Sequence, residues 1–422
     1  MIYTIRAGDT LSNIASNYNL TYEQLASING ITDPNNISVG QNLFIPNDIA
    51  TTHTVKAGET LYSISRMHGI PLQTLINVNK QITNPNRINI GDVINLPDTR
   101  RVVEANGYAV ANINTRVLDR TLPYLTYLSL FSYQVKADGT LYTLYEDALI
   151  NSARQSSVAP VMVVTNISSD GFDSDLAHTI LTNDNIQNTL VNNIVSILIA
   201  KNYYGVDIDF EYLYPEDRVN YLNFLRKLKT QLQANNLYLS VAVAPKYRDN
   251  QSGLLYEAHD YRGIGEIADR VIIMTYEWGY IYGEPRAISP LREVEAVISY
   301  AVTRIPSEKI LMGMPNYAYN WTLPFTQGSS ATVLTNVQAV NLAFERGATI
   351  NFDTSEYAPY FNYVDDDGKE HVVWFDDARS IDARLELVTK YNLAGVSYWT
   401  INNYSAINYS ILNNKFQIKK VL

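Results

Sequence analysis

Cysteine is absent from the 422 residues. Disulfide staples, thiolate nucleophiles and zinc–thiolate sites are excluded together. The five histidines (His53, His68, His178, His259 and His371) are scattered, with no HxxxH or HExxH spacing, so no metal site is expected. Positive charge is in deficit: 32 Lys and Arg against 42 Asp and Glu leave a net charge of −10. Nucleic acid is therefore not an expected partner, and simple docking to an anionic membrane is disfavoured. Long apolar runs are missing too. None approaches the ~18 residues of a membrane span, and "MIYTIRAGDTLSNIA" lacks the basic and apolar regions of a secretory signal. A chain made as a soluble cytoplasmic product is expected, with no cofactor and no obligate partner, hence a monomer. A hydrophobic fraction of 46% is enough for a large core, and the length accommodates two or more domains.

What is present begins with a repeat. "YTIRAGDTLSNIASNYNLTYEQLASING" (3–30) aligns with "HTVKAGETLYSISRMHGIPLQTLINVNK" (53–80), and "DPNNISVGQNLFIPN" (33–47) with "NPNRINIGDVINLPD" (84–98). Each unit reads strand, helix, helix, strand, with Thr10 and Thr60 as helix N-cap candidates and a proline stopping the last strand. The stretch "NDIATT" (47–52) links them. The G-[DE]-T-L turn and the N-P-x-x-I-x-x-G close resemble LysM domains, over residues 1–47 and 52–98. That resemblance implies binding to N-acetylglucosamine runs in peptidoglycan or chitin. It implicates Gly8, Asp9, Thr10, Leu11 and Ile37 in the first unit, and Gly58, Glu59, Thr60, Leu61 and Ile88 in the second. Each leucine or isoleucine, taken singly, reads better as core of a very small domain, and each glycine is readable as a turn requirement alone. Two weak sites on one chain gain avidity on a polymer that repeats its ligand.

From residue 102 to 422, short apolar runs alternate with helical periodicity. Eight candidate strands (102–110, 125–135, 159–167, 204–212, 237–245, 270–278, 309–317 and 393–401) predict an α/β fold, a (β/α)8 TIM barrel. The long gap at 322–379 contains "FNYVDDDGKEHVVWF", a hairpin with Asp-Gly in its turn. It predicts a small α+β insertion forming one wall of a cleft.

The fourth strand, "YYGVDIDFEYLYPED" (203–217), carries Asp207, Asp209 and Glu211 at every second position and Val206, Ile208 and Phe210 between and beside them. A strand sends alternate residues to opposite faces. The apolar set then meets the outer helices, and the acids point along the barrel axis with Glu211 nearest the C-terminal mouth, where barrel enzymes keep their active sites. Like charges held close in a buried place raise at least one pKa, and a carboxyl kept protonated near neutrality is a general acid. A divalent-metal site of the form D-x-D-x-E and an edge ladder of surface acids are the alternatives; the apolar flank argues against the second. Asp209 and Glu211 are roughly 7 Å apart at Cα from the strand rise, too close on one face to flank a sugar from both sides. An acid is present without an evident nucleophile.

The segment resembles the glycoside hydrolase family 18 signature D-G-x-D-x-D-x-E, matched by Gly205, Asp207, Asp209 and Glu211, with Tyr204 where the family often has its first acid. "MTYEW" (274–278) resembles the family's M-x-Y-D motif, with Glu277 in place of Asp. "VSYWT" (396–400) resembles the eighth-strand segment whose tryptophan floors the sugar pocket. The resemblance implies a retaining, substrate-assisted mechanism in which the 2-acetamido oxygen attacks the anomeric carbon, a named exception to the two-carboxylate scheme. It implies that Glu211 is the acid, that Asp209 orients the acetamido group, that Asp207 tunes Asp209, that Tyr276 donates to the acetamido oxygen and that Trp399 stacks under the sugar. Glu277, Met274 and Tyr133 are further candidates for substrate contact, as is Phe131; Trp321 and Trp374 are either cleft walls or packing. Two LysM units before such a barrel resemble the architecture of spore cortex-lytic N-acetylglucosaminidases. That implies action on cortex peptidoglycan and delivery from the mother cell to the spore coat and cortex region. A chitinase and a non-catalytic glycan-binding protein are the competing readings, and the presence of Glu211 counts against the latter.

Overall fold

Both front units are βααβ modules. The computed structural model describes residues 1–47 and 51–422. Asp48, Ile49 and Ala50, within the expected linker, lie outside the described residues. Module 1 contains β1 (Ile2–Thr4), α1 (Leu11–Asn17), α2 (Tyr22–Asn29) and β2 (Asn42–Phe44); module 2 contains β3 (Thr52–Thr54), α3 (Leu61–Met67), α4 (Leu72–Val78) and β4 (Val93–Asn95). The strands of each pair antiparallel, Tyr3 opposite Leu43 and His53 opposite Ile94. Thr10 and Thr60 cap the first helices, their hydroxyls accepting the N–H of Asn13 at 3.2 Å and of Ser63 at 3.1 Å.

The barrel strands are β5 (Arg101–Val110), β6 (Tyr127–Gln134), β7 (Ala159–Thr165), β8 (Gly205–Asp209), β9 (Tyr238–Val243), β10 (Arg270–Ile273) and β11 (Ile310–Pro315), and then β17 (Gly395–Trp399) after the insertion. Each pairs in parallel with the next, and β17 returns to β5, closing the sheet. The eight strands and the closed barrel are those the alternation of apolar runs predicts. Val206, Ile208 and Phe210 are fully buried on the outer face. Phe210 stacks on Tyr221 and Phe224 of the helix α6 (Arg218–Ala234), ring centroids 6.2 and 5.8 Å apart, with α5 (Asp184–Ala200) in the same layer. That leaves the acids facing the axis.

The insertion is a five-stranded antiparallel sheet: β12 (Ala318–Leu323), β13 (Thr332–Leu334), β14 (Asn351–Asp353), β15 (Ala358–Val364) and β16 (Glu370–Trp374), with helix α7 (Asn336–Glu345). Strands β15 and β16 form the expected hairpin, and Gly368 in its turn has φ +80°. Helices α8 (Ala378–Lys390) and α9 (Ala406–Lys415) follow the insertion and β17.

The two modules differ in their contacts. Module 1 packs on the barrel: Phe44 joins the main barrel core and the Ser410 hydroxyl donates to the Ile28 carbonyl at 2.9 Å. Among the described residues, no hydrogen bond ties 52–97 to module 1 or to the barrel. No described helix is long and apolar enough to cross a membrane.

Candidate active site

Strand β8 delivers the acids. Asp207 is completely buried and both its oxygens are engaged: the Tyr108 hydroxyl donates to Oδ2 and the Ser240 hydroxyl to Oδ1, each at 2.6 Å. Burial pushes its carboxyl up to about 6, while the two hydroxyls pull it down. Asp209, one repeat nearer the mouth, is 5% exposed, and its Oδ1 has no partner among the described residues. Its pKa is raised well above the ordinary value, by burial first and then by the charges of Glu211 and Asp207.

Glu211 lies two residues beyond the end of β8, whereas the alternation predicts a strand reaching it. Side chains from elsewhere replace the ladder. The Asn166 amide, just past β7, clamps the Glu211 backbone, with Oδ1 accepting its N–H at 3.0 Å and Nδ2 donating to its carbonyl at 2.9 Å. His259 Nδ1 accepts the Ala244 N–H at 3.0 Å, so Nε2 carries the proton and donates to the Phe210 carbonyl at 2.9 Å. Burial lowers this histidine to about 4, which keeps it neutral. The Glu211 carboxyl is itself raised by burial and then by the negative charge of Glu277.

Asp209 and Glu211 open into a cavity of about 500 Å³ that Tyr276, Glu277, Met274 and Trp399 also line, a size that suits a small ligand. Phe131 and Tyr108 meet Trp399 edge-on, ring centroids 4.8 and 5.5 Å away, and hold the indole. Glu277 has a left-handed backbone, φ +68°, costly for a residue with a β-carbon. Its Oε1 accepts hydroxyls from Tyr317 and from Tyr319, the latter at 2.9 Å. Tyr319 lies on β12 and Tyr317 just before it, so the insertion fixes this carboxyl over the cleft.

Because Glu277 raises Glu211 by its charge, Glu277→Gln is expected to move the alkaline limb of kcat/KM to lower pH. An acid with a lower pKa loses its proton sooner. Turnover at the optimum falls by about tenfold with one polar contact weakened. A pH–rate profile of wild type and variant checks both.

Tyr133 is not in the cleft. A register shift between Leu130 and Tyr133 on β6 reverses the alternation, so Phe131 lines the cavity while Tyr133 turns outward. There it is 1% exposed and donates to Glu146, which also takes the Tyr203 hydroxyl at 2.9 Å and Lys201 at 3.0 Å. Trp321 and Trp374 are buried in the insertion core and do not line the cavity; the Trp321 indole N–H donates to the Gly283 carbonyl at 2.9 Å. Asn166, Tyr108 and Ser240, which hold the acids in place, carry no pattern that reading along the chain detects. Each comes from a different strand or strand end.

In the modules, the turns at Gly8 and Gly58 need their positive φ, +88° and +82°. Asp9 and Glu59 close these turns, accepting the backbone N–H of Arg6 and of Lys56, both at 2.8 Å. Asp9 also takes the Tyr3 hydroxyl, and Glu59 meets the His53 ring. Leu11 and Leu61 are 2% exposed in the module cores and support the turns from within. Ile37 and Ile88 are partly buried against those cores.

The family model for Glycosyl hydrolases family 18 matches residues 107–403. This chain belongs to that family. The LysM domain model matches residues 3–46 and 53–97. The family 18 chain is 37% identical over 427 residues to the cortical fragment-lytic enzyme of Bacillus subtilis (strain 168), covering 99% of each. It is similar in structure to the Bacillus megaterium QM B1551 spore cortex-lytic enzyme SleL, TM-score 0.86 at 36% identity, over 100% of this chain and 99% of the other. A chitinase from Chromobacterium violaceum ATCC 12472 shares the barrel, TM-score 0.69 at 25% identity, over 74% of this chain and 99% of its own. The protein is a glycoside hydrolase with two LysM domains.

Proposed function

We propose that this family 18 enzyme hydrolyses spore cortex peptidoglycan as an N-acetylglucosaminidase, in the spore cortex region and during germination. Its LysM modules hold the same glycan. The end-to-end likeness to the cortical fragment-lytic enzyme supports the substrate, because it spans the modules as well as the barrel.

Asp209 carries the mechanistic reading. Asp209 lines the cavity beside Glu211 and its buried Oδ1 has no partner among the described residues, so the carboxyl has acceptor capacity to spare for a substrate N–H. In this reading the 2-acetamido N–H donates to Asp209 and its oxygen attacks the anomeric carbon. Glu211 protonates the leaving oxygen. An oxazolinium ion forms, and Glu211 then removes a proton from the water that opens it, with retention of configuration. Tyr276 donates its hydroxyl to the acetamido oxygen. Trp399 lies under the sugar at the cleavage point, its apolar face against C–H bonds, and Met274 and Glu277 complete the contacts. Asp207, held by two hydroxyls, sets the charge on Asp209.

Incubation with cortex fragments is expected to release products ending in reducing N-acetylglucosamine, read by mass spectrometry beside chitin oligomers as a competing substrate. Preferential cleavage of the chitin oligomers, with the cortex fragments left intact, would replace this reading with a chitinase.

A further inference from the structure

Module 1 packs on helices α8 and α9 and on the insertion, and its contacts include the N-terminal ends of both helices. A helix that follows a barrel strand begins at the strand's C-terminal end. The first residue of α9, Ala406, lies seven residues after Trp399, and a β-carbon placed on Gly30 of module 1 would rest 3.4 Å from the Ala406 side chain. Asp377 caps α8 with Oδ1, accepting the N–H of Arg379 at 2.8 Å. Its Oδ2 pairs with the Arg379 guanidinium at 3.0 Å and accepts the Asn42 amide of module 1 at 2.8 Å. The Ile350 N–H of the insertion donates to the Val39 carbonyl at 3.0 Å, and a β-carbon on Gly40 would collide with the Ile350 carbonyl oxygen. The insertion that grips module 1 at Ile350 is the one whose Tyr317 and Tyr319 hold Glu277 in the cleft.

Docking leaves the expected sugar turn open, since a β-carbon on Gly8 would meet nothing within 4 Å. The other wall of that groove, at Ile37, is two residues from Val39. Module 2 does not repeat the arrangement. The alignment pairs Val39, Asn42 and Ile28 with Ile90, Val93 and Val78, which are 73%, 55% and 40% exposed, whereas Asn42 is 2% exposed. The amide that engages Asp377 has no counterpart there.

We propose that module 1 is a fixed subsite of the catalytic face, set in one orientation to the cleft so that a single long glycan strand occupies both, while module 2 serves as a separate anchor. The proposal rests on the LysM reading of module 1 as a sugar-binding site. A rigidly held second site raises the effective concentration of the strand at the cleft without the ordering cost of a flexible link. A short fragment gains nothing from it.

The test uses the full-length enzyme with the double substitution N42D and G40A. These set a second carboxylate against Asp377 and a β-carbon against Ile350, and hydrogen exchange across residues 39–44 verifies release. Long cortex strands are expected to show KM raised by about tenfold and a broader product-length distribution. A tetrasaccharide cut from the same strands keeps its kcat/KM within about twofold, which also reports a folded barrel. Unchanged KM on long strands, unchanged exchange across 39–44, or equal losses on both substrates would overturn the proposal. Ile37→Ala separates the two readings in a Glu211→Gln background: unchanged strand binding means that module 1 binds no sugar, whatever its docking does.

Discussion

Replacing Glu211 with glutamine is expected to lower turnover by about 10³-fold while leaving the fold intact. General acid catalysis by a positioned side chain contributes about 10²–10⁴, and Glu211 is asked to act twice, as acid and then as base. Glutamine has nearly the same shape but neither donates an acidic proton nor accepts one from water. The Asn166 clamp acts on the backbone of Glu211, so the substitution leaves it untouched. The variant also removes a carboxyl that burial and the Glu277 charge already disfavour as an anion, so its Tm should be equal to or above that of wild type. Release of reducing ends from cortex fragments, with a thermal melt of the same sample, checks both. A variant with a native melt and native turnover would refute the assignment of the acid.

Asp209→Asn has the second-largest expected effect, a loss of about 10²–10³ in kcat with little change in KM. In the proposed mechanism Asp209, whose anion burial disfavours in the free enzyme, accepts the acetamido N–H and in the transition state carries the charge that opposes the positive charge developing as the oxazolinium ring closes. Both interactions strengthen in the transition state, and a preorganised group of this kind is worth about that factor. Asparagine keeps one carbonyl acceptor but removes the charge and places an amide donor beside Glu211. Because Asp209 raises no competing hydrogen bond at Oδ1, few native contacts are lost. Steady-state kinetics that show a raised KM at constant kcat would mark Asp209 as a ground-state contact only.

Much of this site was legible in the chain as written. The period-two acids define a strand with an apolar outer face and point to the mouth at its end, although the strand stops at Asp209 and Glu211 lies two residues past it. The candidates Tyr276, Glu277, Met274 and Trp399 all line the cavity, because each lies at or just past the end of a barrel strand, and strand ends follow from apolar runs. Tyr133 did not follow the rule. One irregularity on β6 turns it to the outer layer and leaves Phe131 inside, and no local pattern around "LFSYQ" announces a bulge.

The sequence by itself determined the closed eight-stranded barrel, the two βααβ modules and the ladder of acids, since these depend on periodicity and on turn chemistry, which are local. Tertiary structure decided how those acids are held. Asp207 is held by hydroxyls 99 and 33 residues away, and Glu211 by an amide 45 residues away. It also decided that module 1 docks on helices α8 and α9 and on the insertion, in part through an Asn42–Asp377 contact spanning 335 residues. Such contacts depend on where the closed sheet and the insertion bring distant strand ends together, and a single side chain such as Asn42 carries no periodic signal of that meeting.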